Sequence, residues 1–157
     1  DCMTIYLKHE KIKGSATNPD YKDALDVASV EWGVARYVSQ KVGNTANREA
    51  GEANLSDVHI RRRVDGGSPA LFEHAAKVKD AFKIELIFLM SGKTPYLRIE
   101  LQNAIISAYS FTGRGNGEDE ESISISFTKL EIKYTTMGSD NKPGTNIVGS
   151  FDVAAAA

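Results

Sequence analysis

Three histidines (His9, His59 and His74), one cysteine (Cys2), a glycine-rich turn and two charge runs are the residues through which this chain could do chemistry. A zinc site needs three or four convergent ligands. The histidines are too widely spaced to form a metal-binding pair and have no cysteine partner, so they read as surface or partly buried side chains. Gly113-Arg114-Gly115-Asn116-Gly117 has the composition of a dinucleotide-binding loop. Such a loop works between a strand and a helix, where the helix N-terminus meets phosphate, whereas here an acidic run and a strand pattern follow. That run, Glu118-Asp119-Glu120-Glu121, would repel an anion. It also lacks the oxygen spacing and glycine turn of a calcium loop, and so reads as a solvated charge run. Arg61-Arg62-Arg63 is basic enough for nucleic acid, yet strand alternation sends Arg62 to the face opposite Arg61 and Arg63 and splits the patch. Arg61 and Arg63 are therefore expected to make polar contacts with nearby acids or a neighbouring subunit. No serine sits in a nucleophile elbow and no base neighbours Cys2 in sequence. The expectation is a protein without catalytic residues, metal or cofactor.

The chain has 157 residues and a formal net charge of −2. One domain spanning 1–157 is expected, and a core that buries roughly two-thirds of the unfolded surface is within reach. The near-neutral balance gives no pull toward nucleic acid or anionic membrane, which points to protein partners. A single cysteine excludes an internal disulfide. No basic segment followed by an apolar run opens the chain, and nowhere do about 18 apolar residues run together, so neither Sec-type export nor stable membrane insertion is expected. Asp1-Cys2 and Ala154 to Ala157 read as cloning remnants and carry no weight.

The elements that must position these residues are mostly strands. Ile5 and Leu7 begin a short strand, and Asn18-Pro19-Asp20 marks a turn. Ala28, Val30, Trp32 and Val34 alternate with Ser29, Glu31 and Gly33, which predicts one strand with a core face and a wet face. Ser39 to Asn54 is polar and rich in Gly and Asn, and reads as a long exposed loop. Val58, Ile60 and Val64 alternate next. Ser68 is placed to cap a helix that has Pro69 in its first turn, runs to about Lys79, and carries an apolar stripe of Leu71, Phe72, Ala75 and Ala76. Phe82 to Met90 alternates strictly, with Ile87 and Leu89 suggesting burial on both faces. Ser91 to Pro95 fits a hairpin turn before Leu97, Ile99 and Leu101. The odd-numbered Ile123, Ile125 and Phe127 give way to the even-numbered Leu130, Ile132 and Tyr134, which predicts a bulge near Thr128-Lys129. Many strands, one helix and short turns argue for a mainly β fold, a closed or nearly closed antiparallel β-barrel with one short α-helix at its side.

The joint from Ser56 to Phe72, a strand running through Asp65-Gly66-Gly67 into Ser68-Pro69, resembles the haemolysin-coregulated protein (Hcp) family, tube subunits of the bacterial type VI secretion machine. Ile5-Tyr6-Leu7-Lys8, Ile12-Lys13-Gly14-Ser15, Asp26 to Val34 with its Trp32-Gly33 pair, Tyr96 to Ser107, Glu121 to Tyr134 and Gly149-Ser150-Phe151-Asp152 are similar to the family in order and spacing. Ala24-Leu25 stands where many relatives carry Trp-Ile, and Phe151 where Trp is common; both changes stay apolar. The resemblance implies a homohexameric ring that stacks into a tube inside a contractile sheath. Such a tube assembles in the bacterial cytoplasm and is ejected with a spike protein into the extracellular space or a target cell, with small effectors in its lumen. It places Ser29, Glu31, Arg114 and Asn116 at the lumen. Length and polarity make Asn44 to Asn54, with Asn44, Thr45, Asn47, Arg48, Glu49, Glu52 and Asn54, the expected contact between subunits. A phage-type tail tube protein and a monomeric ligand-binding barrel are the alternatives.

Overall fold

A computed structural model of the chain describes residues 3–40, 48–91, 93–140 and 142–153. Its strands are β1 (Thr4–His9), β2 (Leu25–Val27), β3 (Ser29–Glu31), β4 (Val34–Ala35), β5 (Val38–Gln40), β6 (Arg48–Ala50), β7 (Asn54–Leu55), β8 (Val58–Arg63), β9 (Phe82–Met90), β10 (Thr94–Thr112), β11 (Glu120–Ser126), β12 (Lys129–Met137) and β13 (Pro143–Asp152). Among the described residues one α-helix, α1 (Ser68–Lys77), stands between β8 and β9, and a single 3-10 turn spans Pro19–Tyr21. The antiparallel ladder runs β2-β1-β9-β10-β11-β8-β3, and β12 and β13 branch from β10. Its end strands β2 and β3 are separated in sequence by Ala28 alone, whose N–H donates to the Arg61 carbonyl at 2.8 Å. The circuit is thus joined through the chain itself, a nearly closed barrel of the kind the strand pattern predicts.

The inward residues are the alternating apolar ones. Leu7, Leu25, Val58, Ile60, Leu71, Leu86, Leu101 and Ile125 belong to one buried cluster. Ile87 and Leu89, on the other face of β9, bury with Tyr6, Tyr21 and Ala24 in a second. That strand is covered on both sides, as its unbroken apolar run suggests.

Five local expectations need correction. Ala28 to Val34 is not one strand: Val30 and Trp32 pack against the core, but Ala28 and Val34 are exposed, because the chain leaves the β1 ladder for the β8 ladder at Ala28. Ser39 to Asn54 is not a plain loop either. β4 pairs with β7 and β5 with β6, a two-stranded ribbon in which local pairing satisfies backbone groups that no larger sheet reaches. Asn44, Thr45 and Asn47 lie outside the described residues.

Ser68 does not cap α1. Its hydroxyl accepts from Asp65 N–H and donates to Glu121, while the Asp65 carboxylate accepts from Gly67 N–H at 2.8 Å. Of the stripe, Leu71 is buried and Ala75 half-buried, but Phe72 and Ala76 face solvent. Finally, the phase change near Thr128 is a break rather than a bulge: β11 and β12 lie end to end along one edge of β10, and Thr128 N–H bonds to the Gln102 carbonyl. Register shifts fall elsewhere, in β10 at Pro95/Leu97, Leu101/Ala104 and Ile106/Ala108 and in β12 at Thr135/Met137, and Asn103 takes φ 51° within the Leu101/Ala104 shift.

Candidate functional site

Two sets of polar side chains arise from one strand, β8, because alternation divides Arg61-Arg62-Arg63. Arg61 and Arg63 point outward with His59. Across the ladder Ser29 faces Arg61, Glu31 faces His59, and Ser122, Ser124 and Glu120 of β11 continue the rows to Ser110, Ala108 and Thr112 of β10. His59 Nδ1 lies 2.9 Å from Ser124 Oγ. The outcome is a four-stranded sheet whose outer face is polar, with charged side chains at β8 and mostly small ones on β11 and β10. Among the described residues neither lateral edge has a further strand: there β3 pairs with β8 alone, and residues 105–112 of β10 pair with β11 alone.

Ser29 and Arg114 are brought together at one end of this face, in a groove that also holds Arg61, Arg63, Glu118 and Glu120. Arg114 anchors its turn, with its N–H donating to Asp119 at 2.8 Å and its guanidinium reaching Glu120 at 3.5 Å. Asn116 stays within the turn, hydrogen-bonded to Glu118. Arg63 lies 3.7 Å from Glu118, and among the described residues no ion pair is formed by Arg61. Glu31 sits farther along the face, opposite His59. The ribbon positions Glu52 and Asn54 on the surface, and Arg48 and Glu49 fall on β6.

Arg62 turns inward and is fully buried, which the reading of the triplet as a split surface patch does not reveal. It bonds to Glu121, also buried, and to Asp65 at 2.7 Å, and its Nε donates to the Asp26 carbonyl at 3.0 Å. Ser68 and Tyr109 donate to the remaining Glu121 oxygen sites at 3.0 and 2.6 Å. Burial and that bond to Glu121 push the Tyr109 phenol up to about 12. Glu121 therefore leaves the solvated acidic run: every second residue of β11 faces inward, and Glu121 falls on that register. This cluster ties β8, β11, β10, α1 and the end of β2 together at the strand-to-helix joint.

His59 is exposed and His9 and His74 are partly buried, as the sequence suggests, but two of them come together. His9 and His74, far apart in sequence, meet edge to face at 5.0 Å, and both pack on Phe82. His9 Nδ1 accepts from Lys11 N–H at 3.0 Å, which puts the proton of the neutral ring on Nε2. Burial, then His74, lowers the His9 pKa to about 4, with Glu10 opposing. Among the described residues no three His, Cys, Asp or Glu side chains gather as metal ligands, and no helix is long and apolar enough to cross a membrane.

This barrel, with its polar sheet face, helix joint and ribbon, has the architecture of type VI secretion barrel proteins. It is similar over 99% of both chains to a solved type VI secretion protein (TM-score 0.91, 20% identity). It is likewise similar to Hcp1 from Salmonella typhimurium over 99% of this chain and 98% of that one (TM-score 0.80, 19% identity). A type VI secretion effector from Yersinia pestis matches over 95% and 99% of the two chains (TM-score 0.74, 23% identity). No curated protein sequence matches the chain. The family described as type VI secretion system effector, Hcp, matches residues 6–134, and the chain belongs to the Hcp family.

Proposed function

We propose that this protein is a ring-forming tube subunit of a type VI secretion machine, and that its polar sheet face lines the lumen through which small effectors travel. The observation that carries this is the four-stranded sheet with a polar outer face and an unpaired strand at each side. Such a sheet is completed by further copies of itself: β3 of one subunit beside residues 105–112 of the next continues the wall, and a closed rotation leaves no free edge. Family membership supports hexameric closure, stacking within a contractile sheath and ejection with a spike protein, and it favours the secretion tube over a phage tail.

On this reading Ser29, Glu31, Arg114 and Asn116 face the lumen, with Arg61 and Arg63 on the same surface at the subunit boundary. The ribbon formed by β4 with β7 and β5 with β6, with Arg48, Glu49, Glu52 and Asn54, reaches a neighbouring subunit or ring. The test is light scattering with electron microscopy of the purified chain. Rings of six copies with a central hole support the reading; a monomer from micromolar to near-millimolar concentration overturns it. Bulky replacements of Glu31 or Arg114 are expected to change effector retention while rings persist.

A further inference from the structure

We infer that an apolar groove on one flank of the barrel is the socket for Phe72 of the next copy. The groove, about 210 Å³, is lined by Trp32, Val34, Leu55, Leu130, Ile132 and Phe151 and offers almost no polar surface. Trp32 and Val34 follow β3 directly, so the groove opens on the flank that carries that unpaired edge. The opposite flank carries the other unpaired edge, residues 105–112 of β10. There Phe72 of α1 stands 55% exposed, with its ring edge-on to Tyr109 at 5.9 Å, and Phe111 is exposed two residues farther along the same strand.

The groove and the aromatic projection are thus separate surfaces at the two sides of one sheet. Unlike surfaces on opposite flanks are what a head-to-tail contact requires, and repetition of that contact by rotation closes a ring. Setting β3 of one copy beside β10 of the next brings the groove flank of the first against the Phe72 flank of the second, so the occupant is a second copy of this chain. Solvent exposure of a large aromatic side chain on an otherwise amphipathic helix is explained by that second burial. This inference rests on the ring reading, adding to it the side chains that join adjacent subunits.

The test uses Phe72→Glu, Val34→Lys and the two combined, each in the full chain, with light scattering as the readout and unfolding in urea as a check on the fold. Val34 is 59% exposed, so neither change places a charge in the core. Each single variant is expected to fall to the mass of one chain. The combined variant is expected to recover the mass of the unmodified protein, because the carboxylate introduced on α1 of one copy then meets the ammonium introduced in the groove of the next. Single variants that keep the ring overturn the socket, and so does loss of the ring without recovery in the combined variant. An unmodified protein that is itself monomeric overturns the ring reading instead.

Discussion

Arg62 and Glu121 are direct partners in the β8–β11 ladder, and both side chains turn into the barrel, where guanidinium and carboxylate meet with no solvent exposure. Two charges leave water here, so the pair persists only because its remaining valences are filled by Asp65, Ser68, Tyr109 and the Asp26 carbonyl. Among the described residues no buried side-chain polar atom lacks a partner.

Breaking that pair from one side is expected to be worse than removing it whole. Arg62→Ala leaves the fully buried Glu121 carboxylate without its cation and should destabilise the subunit by about 3–5 kcal/mol, whereas replacing both residues by apolar ones of similar volume, which leaves Ser68 and Tyr109 without their acceptor, should cost less, about 1–3 kcal/mol. Urea unfolding of the two variants checks this; equal losses would contradict the electrostatic account.

Burial of His9, with His74 beside it, makes stability depend on pH in a defined window. The His9 pKa is lowered from 6.5 to about 4 in the folded protein, so above 6.5 neither state binds a proton there and the contribution of this group is full. As pH falls from 6.5 through about 4, the unfolded chain takes up a proton that the folded chain refuses, and stability is lost. His9→Asn is expected to flatten the slope of the melting temperature against pH across that window. An unchanged slope would count against His9.

Gly67 is fixed by its neighbours rather than by its backbone angles. A Cβ there would stand 2.6 Å from a methyl of Leu25 and 2.9 Å from the Lys13 carbonyl. Gly67→Ala should therefore cost about 1–3 kcal/mol by forcing the helix joint away from β2, readable as a lower urea midpoint at unchanged slope.

Asn103 occupies the left-handed region at the β10 register shift between Leu101 and Ala104 and donates to Thr128 Oγ1 at 3.2 Å. Asn103→Val is expected to lose about 1–2 kcal/mol, and Asn103→Gly less, since glycine accepts that backbone without strain. Thermal unfolding of the two variants ranks them.

The strands of this barrel were legible because burial on one face imposes a period of two, and Val58, Ile60, Leu97, Ile99, Leu101, Ile123 and Ile125 all obey it. The same rule places Arg62 and Glu121 inward, yet a charge at an inward position has no visible partner until the ladder sets the two residues opposite each other. The His9–His74 contact was hidden for a similar reason: it joins the end of β1 to a helix far along the chain. The ribbon escaped notice because β4 to β7 are two or three residues each, too short to show a period. Ser68 did sit at the start of a helix, but a buried carboxylate competes for its hydroxyl and wins. For the face that carries the functional proposal, Ser29 and Glu31 were identifiable from alternation, while the unpaired edges beside them are a property of topology.

Strand β10 holds 19 residues, roughly 60 Å of chain at about 3.3 Å per residue. Its first half pairs with β9 and β12, and its second with β11. The two halves of the barrel are therefore built on one uninterrupted peptide segment, and neither can melt while the other keeps its register. Amide hydrogens along residues 97–101, which lie between β9 and β12, should then exchange only through global opening, in a single slow class. A subunit of this kind has no weak seam to yield when pushed from one end, so a mechanical load reaches the whole molecule or none of it.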